Sequence, residues 1–232
     1  MKNKNVIFRH LGTIAYKEAW DYQESLFKSI IDQKIANRDK AEPLPTPNYL
    51  LFCQHPPVYT LGKSGKVEHL LISENQLQEQ HIDYFHINRG GDITFHGLGQ
   101  IVVYPILDLD NFFTDIHLYM RYLEEAVIQT LAHYQIEATR VEKLTGVWIE
   151  NRKICAMGVK TSRWVTMHGI ALNINTDLSF FQNIVPCGIT DKAVTSLQME
   201  LGQNIAITEV EKILLDKISK VFEMEITEEV IS

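Results

Sequence analysis

The β-forming runs of this chain come in adjacent pairs, and this pairing constrains the fold more than any other feature. "YLLFC" and "VYTLG" are separated only by "QHPP", and "GVWIENRKICAMGVK" holds two such runs around residues 150–152. More runs, within residues 82–109, are joined by a glycine-rich turn. Because helices are few and the strands adjoin, we predict an α+β fold with a mixed, largely antiparallel sheet flanked by helices.

Apolar periodicity predicts the helices. "YKEAWDYQESLFKSIIDQKI" indicates an early helix that a proline-rich loop ends, and another helix starts near Thr114. A last helix begins with Thr208 and Glu211 spaced as a capping box. "WVTMHGIALNIN" is predicted to be a strand interrupted at Gly169. Since no repeat or long linker divides the 232 residues, we predict one domain over residues 1–232.

The overall charge and hydropathy limit the partners. The net charge of −7 argues against nucleic acid as the main partner. The start, "MKNKNVIFRHLG", lacks the apolar run of a signal peptide, and no stretch approaches the roughly 20 apolar residues of a membrane span. We therefore expect a soluble, cytoplasmic protein that binds neither nucleic acid nor membrane.

Positive charge is concentrated between residues 140 and 163. Two interpretations stay open: a face that attracts an acidic partner by electrostatic steering, or an ordinary solvated surface. The basic residues of this region are Arg140, Lys143, Arg152, Lys153, Lys160 and Arg163, against Glu142 and Glu150.

The cysteines and histidines do not predict a metal site. Three cysteines at irregular spacings form no CxxC pair, so neither a disulfide framework nor a cysteine zinc site is expected. The nine histidines are scattered and contain no HExxH motif. We predict no metal and no cofactor.

One cysteine has the surroundings of a nucleophile. Cys53 and Cys155 fall in apolar strands and are expected to be core residues, whereas Cys187 lies between Pro186 and Gly188 in "NIVPCGIT". A thiol with a pKa near 8.5 needs a neighbouring base or cation to become a nucleophile at neutral pH. The candidates are His96 and His168, each followed by glycine, and the lysines Lys153 and Lys160. Periodicity does not choose between the two lysines.

The stretch "RGGDITFHGLGQ", residues 89–100, predicts an exposed turn whose amides can meet a carbonyl or phosphate. It is neither a P-loop nor a dinucleotide-binding fingerprint, because the spacing differs from both. A purely structural glycine-rich hairpin is the alternative. Arg89, His96 and Gln100 crowd polar groups into this short region, which favours a binding role.

Several blocks together resemble a known family, the octanoyltransferases of the lipoate pathway. They are "HPPVYTLGKSG", "RGGDITFHGLGQIVVYPILDL", "RKICAMGVK", "MHGIALNINTDLSFFQNIVPCGI" and "VTSLQ", in order from about residue 50 to residue 200. The resemblance implies a fold like the catalytic domain of biotin and lipoate ligases. It also implies octanoyl transfer from acyl carrier protein to a lysine of a lipoyl domain, without ATP.

The resemblance also implies residue roles. The acyl-thioester cysteine would be Cys187 and the catalytic lysine would be Lys153, the first residue of "KICAMG". Ile93 and Phe95 are candidates for an acyl tunnel. The substrate-binding residues would be Arg89, Gly90, Gly91, Asp92, Ile93, Thr94, Phe95, His96, Ala156, Met157, Gly158, Gly169, Ile170 and Ala171.

The implied partners are octanoyl-acyl carrier protein and the lipoyl domains of 2-oxoacid dehydrogenase complexes and of the glycine cleavage H protein. Two positions depart from the family pattern, Leu98 in place of proline and Cys155 in place of a small residue such as alanine. In a regular strand Cys155 would share a face with Lys153, which predicts an oxidisable second thiol near the site. The rival functions are an ATP-dependent ligase on the same fold and a non-catalytic binder of acyl carriers or lipoyl domains.

Overall fold

The computed structural model describes residues 2–185 and 193–229. Its strands are β1 (Asn5–Thr13), β2 (Tyr49–Gln54), β3 (Val58–Leu61), β4 (Asp83–His86), β5 (Ile93–His96), β6 (Gln100–Ile106), β7 (Val147–Ile149), β8 (Arg152–Ser162), β9 (Val165–Asn173), β10 (Ala193–Val194) and β11 (Glu225–Glu228). Its helices are α1 (Tyr16–Ala36), α2 (Glu74–Glu79), α3 (Ile116–His133), α4 (Leu197–Leu201) and α5 (Ile207–Phe222), with 3₁₀ turns at Val67–His69, Leu109–Asn111 and Leu178–Asn183.

The larger sheet has the strand order β10-β8-β9-β6-β2-β1-β11, with β7 added to β8. The pairs β8–β9, β9–β6, β6–β2 and β7–β8 are antiparallel, whereas β2–β1, β1–β11 and β10–β8 are parallel. The prediction of an α+β fold with a mixed sheet flanked by helices is therefore confirmed.

The smaller sheet has the order β4-β3-β5. The two runs split by "QHPP" are both strands, as predicted, but β2 belongs to the larger sheet and β3 to the smaller one. Prolines 56 and 57 remove two backbone donors at the point where the chain changes sheet.

Helices cover both faces of the larger sheet. Helices α3 and α5 pack together over one face, with Leu123, Val127 and Leu214 among the fully buried side chains. Helix α1 covers the other face through Phe27 and Ile30. Among the described residues, no helix is both long enough and apolar enough to cross a bilayer.

Two local predictions are wrong. Helix α5 begins after Ala206, whose side chain accepts no capping hydrogen bond, so Thr208 lies inside the first turn instead of capping it. A capping box does form at α2, between Ser73 and Gln76. Strand β9 runs through Gly169 without interruption. The glycine serves close packing instead, since a Cβ at this position would lie 2.1 Å from the Val103 carbonyl oxygen.

Candidate active site

One cavity of about 550 Å³ collects residues from both sheets and from helices α1 and α3. Most residues that the sequence analysis predicted for the site line it: Lys153, Arg89, Gly90, Gly91, Asp92, Ile93, Thr94, His96, Ala156, Met157, Gly158, Gly169, Ile170 and Ala171. Its apolar wall also includes residues that sequence reasoning did not select, among them Tyr16, Val102, Ile116, Met120, Leu144 and Trp148. Ile116, Met120 and Trp148 are apolar and belong to no glycine-rich or polar block, which is why no sequence signal singled them out.

Phe95 does not line the cavity, in contrast to the prediction for it. Its ring is buried in a separate cluster, where it stacks on Phe180 with the ring centroids 4.6 Å apart and also meets Phe181 and Tyr59. Ile93 reaches the cavity and also packs in this cluster. Of the two residues considered for an acyl tunnel, Ile93 alone therefore lies at the cavity wall.

Cys187 lies outside the described residues. The chain on either side of residues 186–192 is well anchored beside the cavity. Before them, the Val185 amide donates to the His69 carbonyl at 2.9 Å. After them, β10 pairs with β8 so that Val194 lies opposite Lys153.

A β-bulge directs Lys153 into the cavity. Trp148 of β7 lies opposite Lys153 of β8, but the preceding Val147 lies opposite Cys155, so Ile154 is an extra residue in β8. A bulge breaks the two-residue alternation of a strand. Accordingly, Ile154 and Cys155 are both buried in the core under α3 and α5, while Lys153 before them and Ala156 after them line the cavity.

The same bulge overturns the expectation for Cys155. Its side chain is fully buried in the core and does not line the cavity, and burial raises the pKa of its thiol. The prediction of an oxidisable thiol on the face of Lys153 is therefore wrong, because β8 is not regular between the two residues. Cys53 is also a buried core residue, as predicted.

The structure separates the two candidate lysines. Lys160 forms an ion pair with Glu24 of α1, with Nζ and Oε1 2.9 Å apart, and it does not line the cavity. Lys153 does line it, and its Nζ lies 4.7 Å from the centroid of the Trp148 ring. Position thus favours Lys153, which the family resemblance also indicates.

The glycine-rich loop is bonded to its surroundings through its backbone. The Gly90 amide donates to the Val159 carbonyl at 2.9 Å, and the Ser64 amide donates to the Gly91 carbonyl at 3.1 Å. Gly158 allows the loop to cross β8, since a Cβ at this position would lie 2.7 Å from the Gly90 carbonyl oxygen. These contacts attach the loop to β8 and to the chain after β3 at the cavity wall.

Thr60 and His69 fix the charged side chains of this loop. Arg89 is buried, and its guanidinium donates to the Thr60 carbonyl at 2.6 Å and to the Thr60 hydroxyl at 2.9 Å. Asp92 contacts His69 Nδ1 at 2.6 Å through one oxygen and accepts from the Ile93 amide through the other. The Asp92–His69 contact joins the loop to the segment that pairs with Ile184, just before residue 186.

Polar side chains below the loop form one buried network. His96 Nδ1 lies 2.9 Å from Gln100 Oε1, Gln100 Nε2 donates to Asn173 Oδ1, and Asn173 Nδ2 donates to the Thr195 carbonyl. The Thr195 amide in turn donates to the Lys153 carbonyl at 3.0 Å. The network therefore connects the glycine-rich block to the backbone of Lys153.

The histidines beside the cavity are buried and neutral. Burial lowers the pKa of His55 to about 4, and burial with the nearby His55 lowers the pKa of His96 to about 3. Burial, Arg89 and Lys160 lower the pKa of His168 to about 3. His168 also has a positive φ of 60°, an uncommon conformation for a residue with a side chain. Neither His96 nor His168 is thus suited to accept a thiol proton near pH 7.

These depressed pKa values predict acid instability. The unfolded histidines protonate near pH 6.5 and the folded ones only near pH 3–4, so the unfolded state binds more protons in between. Each histidine should remove up to about 1.4 kcal/mol of stability per pH unit as the pH falls through that window.

Urea unfolding at pH values of about 7.5, 6 and 5 measures this slope. His55→Gln should reduce it, whereas His133→Gln, at an exposed position, should not. Equal stability at all three pH values would contradict the assignment of buried neutral histidines.

The basic residues of 140–163 are mostly ion-paired. Arg140 contacts Glu124 and Glu125, and Arg152 contacts Glu150 and Glu200. Lys160 is likewise bound to Glu24, so Arg140, Arg152 and Lys160 each have an acidic partner. In residues 2–185 and 193–229, no three histidine, cysteine, aspartate or glutamate side chains cluster as metal ligands.

Comparisons with known proteins agree with this architecture. The family model for the lipoyl protein ligase A/B catalytic domain matches residues 15–219. An octanoyltransferase of Cytophaga hutchinsonii is 59% identical over 232 residues, covering 97% of this chain and 95% of the relative. An octanoyltransferase of Flavobacterium johnsoniae is 56% identical over 230 residues, covering 97% of this chain and 99% of the relative.

Solved structures share the fold at lower identity. A lipoate-protein ligase A bound with ATP has a TM-score of 0.71 at 18% identity, covering 99% of this chain and 90% of that protein. A bi-partite lipoate protein ligase from Thermoplasma acidophilum, described with its E2 lipoyl domain, has a TM-score of 0.69 at 17% identity, covering 100% of this chain and 88% of that protein. The chain belongs to the lipoyl protein ligase A/B catalytic-domain family and, within it, to the octanoyltransferases.

Proposed function

We propose that this protein transfers an octanoyl group from octanoyl-acyl carrier protein to a specific lysine of a lipoyl domain, through a thioester on Cys187. The observation that carries the proposal is the position of Lys153. A bulge turns this lysine into a cavity walled by the glycine-rich loop, directly opposite β10, the strand that follows the segment of Cys187. The octanoyltransferase relatives support the acyl group.

The first half-reaction exchanges one thioester for another. The Cys187 thiol gives its proton to the Lys153 amine, and the thiolate attacks the octanoyl carbonyl carbon. The new C–S bond forms as the bond to the carrier's sulfur breaks, and the carrier thiolate takes the proton from the Lys153 ammonium. Because bond types are conserved, the step needs no ATP. We assign the developing oxyanion to backbone amides of the Arg89–Gly91 loop other than that of Gly90, which already donates to the Val159 carbonyl.

The second half-reaction forms the amide. The ε-amine of the acceptor lysine attacks the acyl-enzyme, Lys153 takes a proton from the attacking nitrogen, and Cys187 leaves as a thiolate that regains this proton. Lys153 therefore acts as base and acid in turn, which requires a lysine that is held close to the reacting atoms.

The apolar wall of the cavity suits a medium acyl chain. Ile93, Ile116, Met120, Leu144 and Met157 all contribute to it. Each methylene group that leaves water contributes about 0.8 kcal/mol, so an octanoyl chain gains several kcal/mol by binding here.

The proposed acceptors are the lipoyl domains of 2-oxoacid dehydrogenase complexes and of the glycine cleavage H protein. The family match supports this class of acceptor, as does the shared fold with a lipoate protein ligase that was described together with its E2 lipoyl domain. The proposed donor, octanoyl-acyl carrier protein, rests on the family resemblance of the sequence blocks.

An ATP-dependent ligase is the competing function, since an ATP-bound lipoate-protein ligase shares the fold. The discriminating experiment mixes the purified protein with octanoyl-carrier protein and an unmodified lipoyl domain, without ATP, and follows the mass of the lipoyl domain. We expect octanoylation by the wild type and none by Cys187→Ala. A strict requirement for ATP, or full activity of Cys187→Ala, would contradict the proposal.

A further inference from the structure

The side-chain nitrogen of Lys153 lies over an aromatic ring. Its Nζ is 4.7 Å from the centroid of Trp148, well within the range of about 6 Å for a cation–π contact. Trp148 lies directly opposite Lys153 in the β7–β8 pair, and its side chain is only 3% exposed. Both residues line the cavity, so the contact lies at the site of the proposed chemistry.

We propose that Trp148 is a positioning residue whose indole face holds Lys153 in the cavity and favours its ammonium form over the free amine. This inference rests on the proposed role of Lys153. The β7–β8 register makes the contact possible, because Lys153 lies opposite Trp148. The bulge at Ile154 then places the following residue, Cys155, opposite Val147.

The turn before β7 lies beside the Lys153 side chain and restricts the space around it. Gly146 has a φ of 119°, and a Cβ at this position would lie 3.5 Å from Lys153 Cε. The Gly146 amide donates to the buried carboxylate of Glu124 at 3.1 Å. The lysine stem is therefore bordered by an anchored turn, and its amine by the indole of Trp148.

The consequence for catalysis is a shift in pH dependence. In the proposed dyad one proton is shared by Cys187 and Lys153, and activity is lost at high pH when the ammonium gives this proton up. The quadrupole of an indole attracts a cation, and the attraction is stronger in a desolvated site. Removing the indole should therefore make the ammonium deprotonate at a lower pH.

The test compares Trp148→Leu, Trp148→Phe and wild type. For Trp148→Leu we expect the basic limb of the pH profile of kcat to move down by about one pH unit. Trp148→Phe keeps a weaker aromatic face and should show a smaller shift in the same direction. Met120→Ala removes apolar wall without removing an aromatic ring, so its KM should rise while the basic limb stays in place.

A second readout needs no substrate. Acetic anhydride acylates free amines, so the acetylation rate of Lys153, mapped by peptide mass spectrometry across pH, reports where its ammonium deprotonates. The midpoint should be lower in Trp148→Leu than in wild type, with Trp148→Phe between them. Equal midpoints in folded variants, or a uniform loss of kcat at every pH, would overturn the inference.

The two proposals fail separately. A wild type that transfers octanoyl without ATP, combined with unchanged acetylation midpoints, would overturn the role of Trp148 alone. A Lys153→Ala variant with wild-type activity would overturn the proposed function, whatever the midpoints in the Trp148 variants show.

Discussion

Replacing Lys153 by alanine is expected to lower the rate of octanoyl transfer by about 10²- to 10⁴-fold, the range that a positioned general acid or base contributes. The variant loses the amine that is proposed to take the thiol proton and to return it to the leaving carrier. Its fold should persist, since Lys153 is only partly buried and its amide and carbonyl remain to pair with β7 and β10.

The chain offers a matched control in the same strand. Lys160 forms an ion pair with Glu24 that is partly exposed, and it lies outside the cavity. Lys160→Ala should therefore retain nearly the full rate. The measurement is the initial rate of lipoyl-domain octanoylation, with thermal unfolding of each variant as a check on folding. Equal losses in both variants would remove the special position assigned to Lys153.

Replacing Glu124 by alanine is expected to destabilise the fold by about 2–3 kcal/mol, because a buried charged acceptor is lost. Its carboxylate is completely buried in α3, where it accepts from the Gly146 amide and contacts Arg121 and Arg140 at 2.8 and 3.1 Å. Without this carboxylate, the Gly146 amide loses its acceptor, and the turn beside Lys153 loses an anchoring hydrogen bond.

Glu125 is the matched control. It binds the same Arg140 at 2.6 Å, but its side chain is 38% exposed. Glu125→Ala should cost less than about 1 kcal/mol, the usual range for an exposed pair. Urea unfolding measures both variants. If Glu124→Ala were no more destabilised than Glu125→Ala, the buried carboxylate would not hold the turn as we infer.

Much of the fold could be predicted because the sequence patterns are local. The spacing of apolar residues identified α1, and the short connection "QHPP" identified the neighbouring strands β2 and β3. Strand β1 was not predicted, although it lies between β2 and β11 in the larger sheet. Its alternation is weak because Arg9 and His10 interrupt it. Pairing with partners far along the chain, rather than local pattern, makes it a strand.

The candidate site was also predictable only in the parts that depend on local sequence. Glycine-rich blocks and the family resemblance predicted roles for the loop at Arg89 and for Lys153, because those features lie in consecutive residues, and both line the cavity. The bulge at Ile154 could not be read from "KICAMG", and regular alternation misplaced Cys155 as a result. Trp148 and Met120 join the cavity only through tertiary packing, which no spacing in the sequence indicates.

The covalent intermediate is the central claim, and intact mass spectrometry tests it most directly. The purified protein is incubated with octanoyl-carrier protein without ATP, quenched in acid, weighed, and mapped by peptide analysis. We predict an octanoyl adduct on Cys187 that disappears when an unmodified lipoyl domain is added. Octanoyl transfer by a folded sample that never carries this adduct would contradict the thioester route.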